Sequence, residues 1–226
     1  MYQIIIQLAL YFAENNNKIN LYDKKSQHMK LWTIQTTEFY DTLQKNGVVY
    51  CDRESWLCQE YRAMYDWMAG EMRKRIGNPP HPEVRYPLWA WYQYHSRKKP
   101  QPPISPSILD SDQKEGVMLE LEIPEDEVLL SDFCLWHVPL NGHPISDDKR
   151  LMRRFDAFRA LQGGSCDFED YPDELKHDIM ITWSVVFDLR TKFRQWMTKA
   201  MWNRSIQACF WELKLEQVVK VHYIYK

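Results

Sequence analysis

The side chain best placed to do chemistry in this sequence is Glu212. It closes the run SIQACFWEL (205–213), where strand alternation would set Ile206, Ala208, Phe210 and Glu212 on one face. A carboxylate at the end of an apolar face is partly desolvated, which raises its pKa and prepares it for catalysis or for hydrogen bonding to a hydroxyl. The alternative is a strand-end glutamate protruding into solvent. A second candidate group is Asp132, His137 and His143, a donor set suited to a divalent metal if a loop gathers it, although the spacing matches no common metal motif. Beside Trp136, His137 also reads as a hydrogen-bonded structural histidine. Glu120 and Glu122 form an i, i+2 carboxylate pair, which a wetted sheet face explains equally simply.

The stretch YPLWAWYQYH (86–95) sets five aromatic rings in ten positions. As a strand it would send Tyr86, Leu88, Ala90 and Tyr92 one way, and Trp89 and Trp91 the other. Both faces are apolar, which suits a central strand covered on both sides. Most of these rings are then core, and Tyr92, Gln93 and His95 at the polar exit are the ligand contacts. A basic stripe with interleaved rings can hold phosphates and stack bases. Arg150, Arg153, Arg154 and Arg159 supply one such stripe; Lys192, Arg194, Lys199 and Arg204, among Phe193, Trp196 and Trp202, supply another. A wet helix face has the same composition.

The elements that would position these groups are legible in outline. KLWTIQ (30–35) is a strand, and Thr36 or Thr37 caps a helix that Gly47 stops. Apolar residues from Leu57 to Ile76 recur at steps of three and four, predicting a helix over 54–76 that Gly77 closes. VMLELEIP (117–124) alternates, with Val117, Leu119, Leu121 and Ile123 inward and Met118, Glu120 and Glu122 outward. Residues 96–116 are a proline-rich, charged loop, and 124–144 are irregular. Ser146 opens a basic helix that Gly163 and Gly164 end, and Pro172 opens another to about Leu189, with more helix to Trp202. Two strand-like runs finish the chain. Strands and helices mix without regular alternation, so the fold class is α+β, with a mixed or antiparallel central sheet and flanking helices.

The totals narrow the function classes. The net charge of −2 provides no field to recruit nucleic acid or an acidic membrane. Five cysteines without paired spacing argue against a disulfide framework and for a reducing, cytoplasmic setting. The apolar start MYQIIIQLALYFA is too short to span a bilayer, and residues 1–28 read as an N-terminal extension or linker before one domain over 29–226. The sequence contains no GxxxxGK[ST], GxGxxG, GxSxG, HExxH or CxxC motif.

Taken in order, MKLWTIQ (29–35), YDWM (65–68), YPLWAWYQ (86–93), LELEIPEDEVLLSDFCLWHVPLN (119–141) and IQACFWELKLEQVVKV (206–221) resemble a bacterial family known only as a domain of unknown function. That resemblance covers residues 29–226 and implies no particular activity. A second resemblance, to ADP-ribosyltransferase-like domains, rests on the opening strand with its Thr, the helix ending in NG, the LELEIP strand and the late strand ELxxxxVxxV. It implies NAD as cofactor, Glu212 as the key acid and Tyr92 as the stacking ring. The contacts that hold the cofactor would be Thr33, Gln35, Trp136, His137 and Asn141. Such an acid would stabilise the oxocarbenium-like state formed when the glycosidic bond of NAD breaks, with a protein or nucleic acid as acceptor. LWTIQ carries neither the His nor the Arg that such domains place on the opening strand. Two other readings stand beside this one: a non-catalytic module binding nucleic acid or protein through the 150–204 helices, and a metal-dependent hydrolase around Asp132, His137 and His143.

Overall fold

The computed structural model describes residues 27–51, 61–95, 99–164, 166–189 and 204–226. The expected extension up to residue 26, the start of the helix expected from 54, and the helix expected over 190–202 lie outside them. Eight strands and five α-helices follow in the order β1 (His28–Gln35), α1 (Thr37–Asn46), β2 (Val48–Tyr50), α2 (Arg62–Ile76), β3 (Leu88–Gln93), β4 (Glu115–Pro124), β5 (Leu129–Asp132), α3 (Phe133–Leu140), α4 (Lys149–Leu161), α5 (Asp173–Thr182), β6 (Ile206–Phe210), β7 (Glu212–Lys214) and β8 (Val218–Tyr225) among the described residues. The large sheet runs β5-β6-β3-β1-β4-β8, and every pairing in it is antiparallel. A small sheet pairs β2 with β7. The arrangement is α+β, with helices flanking an antiparallel sheet.

Local chemistry sets the element ends. The Thr36 hydroxyl accepts the Phe39 N–H at 3.1 Å and starts α1. Gly47 ends it in the left-handed region at φ 76°, where its N–H reaches the Leu43 carbonyl and a Cβ would be strained. Asp132 caps α3 by accepting the Leu135 N–H at 3.0 Å. This short helix replaces the irregular stretch expected after residue 132. It is apolar nearly all round and contains Pro139, so neither amphipathic spacing nor an uninterrupted run announces it.

Both faces of the large sheet are covered. On one, Leu31, Leu119, Leu121, Ala208 and Phe210 pack with Leu43 of α1 and with Val49 and Leu213 of the small sheet. On the other, Trp89, Leu129 and Cys209 meet Met68 of α2, Trp136 of α3, Phe155 of α4 and Ile179 of α5. Farther along this second face, Leu109 closes over Trp32, Met118 and Ile224. The outward direction expected for Met118 is therefore corrected. The Pro-rich loop folds back over the strand, and Met118 is fully buried. No helix among the described residues is long and apolar enough to cross a membrane.

The last correction concerns the C-terminal strands. The run SIQACFWEL does not continue as one strand. It breaks at Trp211, whose indole N–H donates to the Gly77 carbonyl at 3.0 Å at the end of α2. Beyond that corner the chain joins the small sheet, where Glu212 pairs with Tyr50. The alternation that aligned Glu212 with Ile206, Ala208 and Phe210 stops two residues short of it.

Candidate functional site

The cleft forms where two central strands share little backbone pairing. β1 registers with β4 at eight positions, but with β3 only at Trp32–Trp91. Beyond that pair a side chain takes over the ladder's role. The Thr33 hydroxyl donates to the Trp89 carbonyl at 2.9 Å, and Gln35 Nε2 donates to the Thr33 oxygen at 2.8 Å. A backbone carbonyl left out of the ladder inside a covered sheet needs such a partner. Above this seam lies a cavity of about 310 Å³, within the size range of small-molecule sites, closed on its far side by α3.

Its walls are rings. Trp89 and Trp136 lie 5.6 Å apart at 32°, and Tyr65 meets both edge-on at 6.2 and 6.3 Å. Trp91 packs against Phe133 at 4.7 Å. Behind the cleft Trp136 stacks on Trp67 at 6.2 Å, and Trp67 stacks on Phe187 at 5.6 Å. These contacts fix the wall in place before anything binds, which lowers the entropic cost of holding a ligand.

The polar groups are few: amides, a hydroxyl and ring nitrogens. His137 Nδ1 lies 2.8 Å from the Phe133 carbonyl. A carbonyl only accepts, so Nδ1 carries a proton in this contact and Nε2 is the ring atom left to other partners. Asn141 closes α3 by donating from Nδ2 to the His137 carbonyl at 2.6 Å. Gln207 is 5% exposed, and its Nε2 has no hydrogen-bond partner; Trp89 Nε1 is likewise buried and unpartnered. Among the described residues no Asp, Glu, Lys or Arg lines the cleft.

Four of the expected cofactor contacts, Thr33, Gln35, Trp136 and His137, line this one cavity. Asn141 stands behind it as the helix cap. Tyr92 does not line it. Trp91 pairs with Gln207 and Gln93 with Ile206, so Tyr92 is the extra residue of a β-bulge, and it turns to solvent at 38% exposure. Glu212 does not line it either. Its Oε1 is 3.4 Å from Lys214 Nζ, and its Oε2 is 3.9 Å from His81 Nε2 without a hydrogen bond. The sequence reading missed Trp89, Trp91 and Phe133 as ring walls, and Gln207 altogether. The signal for Gln207 was a carboxamide inside the otherwise apolar run IQACF.

The other candidate groups have structural partners. The Asp132 carboxylate caps α3 through Oδ1, and its Oδ2 lies 3.7 Å from Arg204 Nε. His143 Nε2 faces Arg159 Nη1 at 3.2 Å. Among the described residues no three His, Cys, Asp or Glu side chains gather as a metal site would require. In the first basic stripe Arg154 pairs with Asp178, and in the second Arg204 is half-buried and donates to the Leu189 carbonyl at 3.0 Å. Lys192, Phe193, Arg194, Trp196, Lys199 and Trp202 lie outside the described residues.

No curated protein and no solved structure matches the chain. The profile of the domain of unknown function DUF3841 matches residues 30–219, from the opening strand through the cleft walls to the start of β8. A match of that extent, over the same strands and helix that build the cleft, establishes that the chain belongs to the DUF3841 family.

Proposed function

We propose that this domain binds an uncharged, planar heterocyclic ring in the cleft between β1, β3, β6 and α3. The observation that carries this reading is the pair of buried, unpartnered donors, Gln207 Nε2 and Trp89 Nε1, on residues that line a ring-walled cavity without Asp, Glu, Lys or Arg among its described residues. A buried donor left without a partner is unfavourable, and a ligand acceptor relieves it. The rings supply sequence-tolerant stacking, about 1–3 kcal/mol per flat heterocycle by analogy with base stacking on aromatic side chains. The lack of a Lys or Arg among the described lining residues selects against phosphates and carboxylates at this position, because a bare anion in such a site keeps its desolvation penalty.

The test is calorimetry of the full chain with indole, nicotinamide and purine riboside, alongside phosphate and acetate. The flat neutral compounds are expected to bind, and Trp136→Ala to weaken them about tenfold or more. Failure of every ring to bind would remove the proposal.

A second reading, an ADP-ribosyltransferase-like enzyme using NAD, is favoured by one observation: Thr33, Gln35, Trp136 and His137 share the cavity. It then needs an acid at the cleft, whereas Glu212 belongs to the small sheet. Nicotinamide release from NAD by the full chain, abolished in Glu212→Gln, is the result that reading requires. Release at the same rate in that variant would dismiss Glu212 as the acid.

A further inference from the structure

The cleft supports a narrower statement, which rests on the ring-binding reading above. We propose that the ring it takes carries a lactam edge, a ring carbonyl beside a ring N–H, and that Gln207 and Trp89 read that edge.

The placement comes from sheet register. Gln207 on β6 is the partner of Trp91 on β3, so Trp89 is its diagonal neighbour on the same face. Both side chains line the one cavity, and the nitrogen of each is buried without a partner. Their chemistry is complementary. An indole N–H donates and never accepts, so the ligand must present an acceptor to Trp89. A carboxamide holds a donor nitrogen and an acceptor oxygen on one carbon, and its full complement is an acceptor beside a donor. A ring carbonyl next to a ring N–H has that pattern, and it belongs to a flat ring of the kind that aromatic walls stack. The acceptor is a neutral carbonyl and not a carboxylate, because no Lys or Arg among the described residues lines the cleft to compensate a negative charge. Discrimination of this kind is strong, since an analogue lacking the carbonyl offers only a ring nitrogen as acceptor there and leaves at least one of the two buried donors unmet.

Titration calorimetry on the full chain tests this with matched pairs: 2-pyridone against pyridine, and inosine against purine riboside. The lactam member of each pair is expected to bind about tenfold tighter or more. Gln207→Leu should weaken the lactam more than its parent ring and narrow the ratio within each pair to about twofold or less. Trp89→Phe, which keeps a ring and removes the N–H, should cut the same preference severalfold. Equal binding within both pairs overturns the lactam assignment and leaves ring binding standing. So does a preference that survives Gln207→Leu unchanged. Absence of binding by all four compounds overturns both readings together. The comparison within each pair is made on the unmodified protein, so it holds even if a variant fails to fold.

Discussion

The Thr33 hydroxyl donates to the Trp89 carbonyl at 2.9 Å, joining β1 to β3 where the two strands have a single registered backbone pair. Gln35 in turn donates to Thr33, so one hydroxyl holds both the strand seam and the amide at the cleft's edge. Thr33→Val keeps the shape and removes the link. The variant is expected to lose about 1–3 kcal/mol, because it strands a carbonyl and an amide N–H. Thr33→Ser should recover most of that loss. Urea unfolding with an unchanged slope checks both; a Thr33→Val variant as stable as the parent would refute the role given to this hydroxyl.

Asp132 caps α3 and is 1% exposed, with Arg204 Nε at 3.7 Å. Asp132→Asn retains the capping oxygen, whereas Asp132→Ala removes the cap and the charge together. Loss of the cap alone costs about 1 kcal/mol, and breaking a buried pair raises this to about 3 or more. The expected order of melting temperature is parent, then Asn, then Ala. An Ala variant equal to the Asn variant would show that the cap contributes nothing.

His143 should make the fold sensitive to mild acid. Burial, and then the positive charge of Arg159, hold its pKa below the usual imidazole value. Its Nε2 faces Arg159 Nη1 at 3.2 Å, and the Phe155 ring packs edge-on at 5.1 Å. The folded state thus binds a proton less readily than the unfolded chain. The resulting stability is complete above the unfolded pKa of about 6.5, and is lost as pH falls through the lower folded value. Melting temperature measured across that window should decline more steeply in the parent than in His143→Gln. Parallel profiles would show that this site does not contribute.

Gly142 is a position where the backbone demands glycine. Its φ is 66°, and a Cβ there would lie 3.0 Å from Phe168 Cδ2 and 3.1 Å from its Cβ. Gly142→Ala combines backbone strain with a clash against a buried ring and should cost about 2 kcal/mol or more. Thermal unfolding of the variant decides it, and an unchanged transition would mean that Phe168 yields freely.

How far the sequence revealed all this follows from the kinds of signal each residue left. Thr36 and Gly47 bracket α1 because a hydroxyl cap and a left-handed stop are local requirements visible one residue at a time. The inward residues of β4 were equally plain. Met118 was not, since what buries it is Leu109, brought back by a loop whose prolines and charges signal only irregularity. At the site, Thr33, Gln35, Trp136 and His137 were named, and they meet in one cavity. Glu212 was aligned with Phe210 by a periodicity that holds only inside an unbroken strand, and nothing in the letters FWEL marks the corner at Trp211. Tyr92 is the extra residue of a bulge and stands exposed, a placement that simple alternation along the strand does not reveal. Gln207 became informative only once its neighbours were known to leave its Nε2 unmet.

The corner at Trp211 has a consequence for how the molecule comes apart. Its indole is tied to the end of α2 through Gly77, the Arg73 guanidinium lies 5.7 Å from its ring, and β6 and β7 leave it in different sheets. The three-residue pairing of β2 with β7 is too small to persist by itself. Amide protons of Leu213 and Ala208 should accordingly exchange with deuterium in a single opening event, with Trp211 as the rivet whose release frees both sheets at once.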